Sequence, residues 1–298
     1  MSPSPWTAAD LPDLTGRSVV ITGANSGIGR VAASALSSAG AAVTLAVRDV
    51  AKGEAVAATM GEKATVRRLD LADLDSVRSF AKATSGPVDI LIDNAGVMAV
   101  PLSRTADGFE MQIGTNHLGH FALTNLLLPL VTERVVVVSS EVHRWGRVDA
   151  GDLNWERRRY RAWDAYAQSK LANLLFVAEL ERRLRESGSP VRAIAVHPGY
   201  AATNLQSHTG RTAMSFLMSI GNRLVAQSET QGALPTLYGA TMDVPGAAYV
   251  GPDGFQRLRG HPALGAPSAR ALDASMAARL WTLSEELTGV SFPPVPLP

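Results

Sequence analysis

The chain has 298 residues, of which 46% are hydrophobic and 18% are charged, a composition typical of a soluble globular protein with a large core. Its 28 basic and 27 acidic residues give a net charge of +1, which argues against nucleic acid or an anionic membrane surface as a partner. There is no cysteine, which excludes disulfides, thiolate nucleophiles and cysteine-ligated metals, and we predict no metal site.

The N-terminus lacks the basic and apolar regions of a signal peptide, and the apolar runs are too short to cross a bilayer. We therefore expect a cytoplasmic protein with no membrane span. The Pro-rich residues 1–15 predict a loosely held N-terminal arm.

Short β-branched segments alternate with Ala- and Leu-rich helical segments, which predicts a parallel sheet built from β-α-β units. The predicted strands are Ser18–Thr22, Ala42–Val47, Thr65–Leu69, Ile90–Asp93, Arg134–Ser139, Arg192–His197 and Ala248–Val250. The predicted helices are Gly29–Ser38, Ala51–Met60, Leu74–Thr84, Asn116–Val131, Ala162–Ser187 and Ser228–Thr241. We predict a single α/β domain over residues 1–298, with a three-layer, doubly wound parallel sheet of about seven strands and helices on both faces.

Two segments, residues 141–162 and 200–227, break this alternation and are candidates for substrate-binding loops. The second segment, a predicted insertion, contains apolar residues that either line a substrate pocket or cover the core, namely Leu205, Phe216, Leu217, Met218 and Ile220. Residues 252–298 form a predicted C-terminal extension.

A glycine-rich turn, Thr22–Gly29, joins the first strand to the first helix. Gly23, Gly27 and Gly29 leave space for a tight turn and for a pyrophosphate close to the backbone, where the helix N-terminus offers free N–H groups. The spacing is Gly-x-x-x-Gly-x-Gly, and a tight connection alone also requires glycine. The position between strand and helix favours dinucleotide binding.

The second strand ends at Val47 and is followed by Arg48 and Asp49. An acidic residue at the strand end would bind the ribose hydroxyls of NAD, whereas a guanidinium pairs with the 2′-phosphate of NADP. We therefore favour NADP over NAD. The alternative for Arg48 is a solvated surface charge, and Asp49 either caps the next helix or pairs with Arg48.

Tyr166 and Lys170 are four residues apart in a predicted helix and therefore share one face. A nearby ammonium stabilises a phenolate, so the pair forms a general acid/base, although such spacing alone is common in ordinary helices. Ser139 and Ser140 end a buried strand at the edge where ligands bind, and Asn94-Ala95-Gly96 and Asn116 suit a turn and a helix cap.

In this order the motifs resemble those of the short-chain dehydrogenase/reductase superfamily, which implies a Rossmann fold from about Ser18 to about Pro252. The matching residues are the Thr22–Gly29 turn, Asp70, Asn94-Ala95-Gly96, Asn116, Ser140, Tyr166, Lys170 and His197-Pro198-Gly199. The segments Asn116–Phe121 and Tyr166–Asn173 resemble the retinol dehydrogenase and WW-domain oxidoreductase branch.

The resemblance implies NADP(H)-dependent hydride transfer to a carbonyl or from an alcohol. Tyr166 would exchange the proton, Ser140 would orient the substrate oxygen, and Asn116 would hold a water. Lys170 would lower the tyrosine pKa and bind the nicotinamide ribose. We choose Ser140 over Ser139 because the second serine has this role in relatives and only one of the two faces the cleft.

The implied cofactor contacts also cover the remaining motif residues. Asp70 would contact the adenine, and Pro198-Gly199 would border the nicotinamide, with Thr203 nearby. The other predicted cofactor-binding residues are Gly23, Asn25, Ser26, Gly27, Ile28, Gly29, Arg48, Leu71, Asn94, Ala95, Gly96, Tyr166 and Lys170.

Two features depart from the family pattern. Asp93 replaces the first asparagine of an Asn-Asn-Ala-Gly motif, which we expect to be tolerated because Asn94 remains. The longer loop before Tyr166 carries a run of arginines that either attracts an anion or is a solvated surface, namely Arg157, Arg158, Arg159 and Arg161.

Three other functions share parts of this pattern. A non-catalytic dinucleotide-binding redox sensor would have lost the tyrosine or the lysine, and this chain has both. A protochlorophyllide-reductase-like enzyme relies on cysteines, which this chain lacks. A serine hydrolase lacks its nucleophile elbow here. The predicted partner is a small, lipophilic carbonyl or alcohol substrate; a homo-oligomer such as a dimer and a monomer both stay open.

Overall fold

The computed structural model describes residues 5–200 and 228–293, and within them eight strands form one sheet. The order across the sheet is β3-β2-β1-β4-β5-β6-β7-β8; strands β1 to β7 are parallel, and β8 is antiparallel to β7. The strands are β1 (Ser18–Thr22), β2 (Ala42–Val47), β3 (Ala64–Arg68), β4 (Val88–Asp93), β5 (Val131–Val138), β6 (Arg192–Val196), β7 (Tyr249–Pro252) and β8 (Pro262–Gly265).

The helices follow the strands in alternation. They are α1 (Gly27–Ser38), α2 (Val50–Ala57), α3 (Leu74–Lys82), α4 (Met111–Ile113), α5 (Gly119–Leu127), α6 (Ala162–Glu186), α7 (Glu229–Thr241) and α8 (Ala274–Thr288). A π-helical segment, Gly114–Leu118, joins α4 to α5 in one continuous helix. No described helix combines the length and the apolar character that a membrane crossing requires.

Alternation along the strands creates two core layers, one on each face of the sheet. In β1, Val19 and Ile21 point into one apolar cluster and Val20 points into the other. Helices α1 and α7 pack together, and on the other side α6 packs on α8 and α3 packs on α5. The predicted three-layer, doubly wound α/β fold is confirmed, with eight strands where about seven were expected.

The sheet order also locates the ligand cleft. The chain winds outward from β1 through β2 to β3 and then returns to β4, on the other side of β1. At such a reversal the connections on either side diverge, which opens a crevice beyond the carboxyl ends of the strands. The segments that follow β1, β4, β5 and β6 therefore meet at one edge of the sheet.

The sequence-based prediction missed β8 and α8, both in the predicted C-terminal extension. The four residues of β8 include a proline and a glycine, so no strand alternation was visible. Helix α8 did carry its signals: Asp273 caps it by accepting a hydrogen bond from Met276 N, and Gly289 ends it at a positive φ of 63°.

Two boundaries between predicted elements were wrong. The helix that was expected to begin at Asn116 begins at Met111, where the buried Glu110 carboxylate accepts hydrogen bonds from the Gln112 and Ile113 N–H groups. It also ends before Val131, which is the first residue of β5. A 3-10 turn containing Pro129 separates the two because proline cannot continue the helical hydrogen-bond ladder. Other ends differ by a few residues.

The N-terminal arm is held more firmly than its proline content suggests. Trp6 packs edge-on against Tyr238 with the ring centroids 5.3 Å apart, and Leu14 is buried in the core. The Trp6 carbonyl also lies 3.1 Å from the His261 Nδ1 atom. The described part of the arm is therefore packed against α7 and the core rather than loose.

Candidate active site

The glycine-rich turn forms a cradle at the carboxyl end of β1. Gly23 and Gly27 have positive φ angles of 68° and 56°, which favour glycine. A Cβ on Gly29 would collide with the Asn94 amide and would lie 2.7 Å from the Gly23 carbonyl oxygen. The Ser26 side chain makes no capping hydrogen bond, which leaves the first N–H groups of α1 to a ligand. These residues fit the pyrophosphate of a dinucleotide.

We expect Gly29→Ala to lower dinucleotide affinity at least tenfold and to destabilise the fold by about 1–3 kcal/mol, because the methyl group displaces Asn94. Titration with a dinucleotide and urea unfolding measure the two effects. The matched control is Gly151→Ala, where the nearest atom to a Cβ is the mobile end of Arg157, 3.2 Å away. Equal behaviour of the two variants would show that the cradle does not depend on Gly29.

The Thr22 side chain connects this cradle to the segment that follows β4. Its Oγ1 atom accepts hydrogen bonds from Asn94 N and Ala95 N, both at 2.9 Å, and lies 2.9 Å from His120 Nε2. The Asn94 Nδ2 atom donates to the Thr22 carbonyl at 2.8 Å. Sequence reasoning gave Thr22 and His120 no role, although both lie within the motifs that it singled out.

Two other predicted turn residues differ in their exposure. Asn25 is half-buried at the rim of the cradle, whereas Ile28 is buried in the core beneath α1. Ile28, in the first turn of α1, therefore anchors this end of the helix in the core.

The end of β2 lies beside the cradle, since Gly23 N donates to the Ala46 carbonyl at 2.9 Å. Arg48 is exposed at this strand end. Asp49 caps α2 by accepting a hydrogen bond from Lys52 N at 3.1 Å, and its carboxylate pairs with the Lys52 ammonium at 3.3 Å. Of the two alternatives for Asp49, helix capping is the one that the structure shows.

Asp70 and Leu71 follow β3 on the side where an adenine would lie. Asp70 is half-buried, and its Oδ1 atom accepts a hydrogen bond from Ala72 N at 3.0 Å. Leu71 is buried, with its main chain close against Gly119 at the start of α5. The Asp70 carboxylate therefore stabilises its own turn through Oδ1, while Leu71 contributes mainly packing.

The segment after β6 contains Pro198 and Gly199, both half-buried at the same edge. Gly199 has a positive φ of 70°, and its N–H donates to His197 Nδ1 at 3.3 Å. Thr203 lies outside the described residues, as do the apolar residues 205–220 that were expected to line a pocket or cover the core.

Asn116 lies in the π-helical segment, and its side chain makes three hydrogen bonds within the protein. Its Oδ1 atom accepts from Val97 N at 2.8 Å, and its Nδ2 atom donates to the Val97 carbonyl and to Ser169 Oγ, both at 2.9 Å. The main-chain carbonyl of Asn116 contacts His120 Nδ1 at 3.1 Å and has a second lone pair, which suits the predicted water.

The two serines after β5 face opposite directions. Ser139 is buried, and its Oγ atom donates to the Lys170 carbonyl at 2.8 Å. Ser140 is half-buried, accepts a hydrogen bond from Val142 N at 3.3 Å and lies close enough to the Tyr166 phenol to act on its pKa. The structure therefore brings Ser140, and not Ser139, to the phenol.

Tyr166 and Lys170 lie on one face of α6, as their spacing predicts. The Lys170 Nζ atom is 5.7 Å from the centroid of the tyrosine ring and donates to the Val138 carbonyl at 3.0 Å. A Cβ on Gly96 would lie 3.6 Å from this nitrogen, which places the ammonium beside the Asn94-Ala95-Gly96 motif.

Burial controls the protonation of this pair. Burial raises the pKa of Tyr166 to about 12, although the nearby Ser140 hydroxyl acts in the opposite direction. Burial also lowers the pKa of Lys170 to about 8. The sequence led us to expect that Lys170 lowers the tyrosine pKa, but loss of solvation raises this pKa instead. At neutral pH the phenol keeps its proton, so it is poised to donate one.

A buried histidine fixes the backbone of Ser140. His143 Nδ1 lies 2.6 Å from the Ser140 carbonyl, and Ser268 N donates to His143 Nε2 at 3.1 Å. Since Nε2 accepts a hydrogen bond, we assign the proton to Nδ1, which donates to Ser140. The imidazole thus links Ser140 to the C-terminal extension, a role with no signal in the sequence motifs.

The two departures from the family pattern both have structural roles. Asp93 is buried below the cleft, where Thr124 Oγ1 donates to it at 2.7 Å and burial raises its pKa to about 7. Arg158 lies over the Trp155 ring at 3.8 Å and binds Asp152 at 3.2 Å. The other arginines of the run are exposed, namely Arg157, Arg159 and Arg161.

Comparison with known proteins gives the family. Residues 17–213 match the family described as short chain dehydrogenase. Human retinol dehydrogenase 13 is 42% identical, with 96% of this chain and 89% of that protein covered, and human retinol dehydrogenase 11 is 43% identical, with 93% and 87% covered.

A crystal structure of an uncharacterized protein from Mycobacterium Paratuberculosis is 55% identical, with a TM-score of 0.86 over 97% of this chain and all of that one. The chain therefore belongs to the short-chain dehydrogenase/reductase family, in its retinol dehydrogenase branch, and is an oxidoreductase that acts on CH–OH donors.

Proposed function

We propose that this oxidoreductase uses NADP(H) and has Tyr166 as its general acid/base. The observation that carries the proposal is the position of the Tyr166 phenol, near Ser140 and one helical turn from the Lys170 ammonium, which itself borders Gly96. A nicotinamide held in the cleft supplies or accepts the hydride, and the protein handles the proton.

In carbonyl reduction, the Oη–H bond of Tyr166 breaks as the O–H bond of the alcohol forms. The Ser140 hydroxyl is placed to donate a hydrogen bond to the same oxygen, which orients it and stabilises its developing negative charge. The phenolate that remains is stabilised by the Lys170 ammonium, whose pKa of about 8 leaves it mostly charged at neutral pH. Alcohol oxidation reverses these steps.

The NADP preference is proposed from Arg48, which is exposed beside the cradle. We expect Arg48→Ala to raise the KM for NADPH about tenfold or more and to change the KM for NADH about twofold or less, because only NADPH has the 2′-phosphate that a guanidinium binds. Steady-state kinetics with both cofactors measure this. Arg159→Ala, at another exposed arginine, is the control. An equal loss with both cofactors would refute the phosphate contact.

The proposed substrate is an apolar alcohol, aldehyde or ketone. Relatives that carry the name retinol dehydrogenase and cover most of this chain support it. The test is consumption of NADPH with a panel containing retinal, aromatic aldehydes, steroid ketones and sugars. We expect turnover of apolar members; turnover of sugars alone would refute the lipophilic site, and no turnover with NADPH or NADH would refute the activity.

A further inference from the structure

A tryptophan lies on the open side of the candidate acid/base. Trp163 is in the first turn of α6, three residues before Tyr166, and 52% of its surface is exposed. The two rings meet edge to face, with centroids 6.1 Å apart and an angle of 82° between their planes. The indole therefore contacts the tyrosine ring, while about half of the Trp163 surface faces solvent.

The main chain at Trp163 is fixed by its neighbour. The Ala162 carbonyl accepts a hydrogen bond from Gln112 Nε2 at 2.8 Å, and Gln112 Oε1 accepts one from Ala99 N at 2.8 Å. Gln112 itself is fully buried. The first turn of α6 is thereby held to the segment that follows Gly96, which leaves the indole on a rigid support.

The tyrosine ring is thus flanked by two different environments. Lys170, one turn later on α6, supplies a cation on one side, and Trp163 supplies a wide apolar surface one turn earlier. The cation suits hydroxyl groups of a cofactor, whereas an exposed indole suits the carbon skeleton of a substrate. A planar, apolar group bound to the reacting carbon would cover that indole when its oxygen is at the phenol.

We propose that Trp163 determines specificity, as the apolar wall of the substrate site beside Tyr166, and selects carbonyl substrates with an aromatic or polyene body. The inference rests on the proposed role of Tyr166 and deepens it by naming the substrate class. Burial of the exposed indole against such a body is favourable, and a small polar carbonyl compound gains little from it.

The test compares 2-naphthaldehyde with propanal as substrates for Trp163→Ala and Trp163→Phe. We expect Trp163→Ala to lower kcat/KM for 2-naphthaldehyde about twentyfold and for propanal about twofold or less, since only the aromatic body contacts the wall. Trp163→Phe keeps a ring and should retain most of the discrimination. Leu264→Ala is the matched control, because Leu264 is 56% exposed and lies in the edge strand β8, outside the candidate substrate-binding segments. An unchanged substrate ratio in Trp163→Ala, or an equal change in Leu264→Ala, would overturn the proposal.

A binding measurement separates this inference from the proposed activity. The affinity of 2-naphthaldehyde is measured on the complex with oxidised NADP, which cannot reduce the aldehyde, and Trp163→Ala should weaken it about tenfold. If the wild type reduces no aldehyde, the proposed function fails and this affinity alone decides the role of Trp163. Unchanged affinity for 2-naphthaldehyde in Trp163→Ala, or no binding of it by the wild type, would overturn the proposed role of Trp163. Unchanged affinity for NADPH in the variant shows that it is folded.

Discussion

Replacing Tyr166 by phenylalanine should lower kcat about a thousandfold or more while the protein stays folded, because general acid/base groups typically contribute factors of about 10²–10⁴. The change removes one oxygen atom and keeps the ring between Trp163 and Lys170. Without the phenol, only water is left to exchange a proton with the substrate oxygen. The Ser140 hydroxyl still orients that oxygen but offers no comparable acid.

The measurement is single-turnover hydride transfer, followed by NADPH absorbance, with NADPH affinity and urea unfolding as controls. Tyr160→Phe is the matched variant. Its hydroxyl accepts a hydrogen bond from Gln112 Nε2 at 2.9 Å and lies 3.0 Å from two acceptors, Glu110 Oε1 and the Val100 carbonyl, so its loss should cost about 1–3 kcal/mol of stability. We expect Tyr160→Phe to keep most of kcat. A Tyr166→Phe variant with more than about a tenth of wild-type kcat would refute the acid/base assignment.

The sequence was sufficient to predict that Ser140, Tyr166 and Lys170 lie close together. Parallel strands share a carboxyl edge, so motifs that follow separate strands converge there without any knowledge of loop structure. The segments after β1, β4 and β5 converge in this way. Side-chain alternation indicates that only one of Ser139 and Ser140 faces the cleft, and the resemblance to relatives selects Ser140.

The local state of those residues was less predictable because it depends on burial and on distant partners. The π-helical segment turns the Asn116 side chain into an anchor for Val97, and no periodicity indicates such a segment. The raised pKa of Tyr166 reflects desolvation by the whole fold. The contact between His143 and Ser268 spans 125 residues, so neither sequence neighbourhood indicates it.

Burial of Lys170 also implies a conflict between stability and function. Its pKa is lowered to about 8, whereas an unfolded lysine titrates near about 10.4. Below pH 8 both states carry the proton, and the folded state bears the full cost of a buried charge. From about pH 8 to 10.4 the folded state releases its proton first, so stability rises with pH; above that window the cost is gone.

We therefore expect Lys170→Met to stabilise the cofactor-free protein at pH 7 by on the order of 2 kcal/mol, and by much less near pH 10. The Val138 carbonyl keeps a partner in the variant, because Asn173 Nδ2 also donates to it at 3.2 Å. Urea unfolding of wild type and variant at both pH values measures the difference, from which other titrating groups cancel. A variant that is less stable at pH 7 would show that the ammonium supports the fold.

The same substitution should lower kcat about a hundredfold at pH 7, because the phenolate formed during carbonyl reduction loses its nearest cation. Weaker NADPH binding should accompany this loss, since the ammonium also borders Gly96 at the cofactor cleft. If the stability of the variant rises while its kcat and its NADPH affinity fall, the buried ammonium is retained at a cost to the fold because proton transfer requires it. A lysine that only packed the helix would give the opposite pattern, with stability lost and proton transfer preserved.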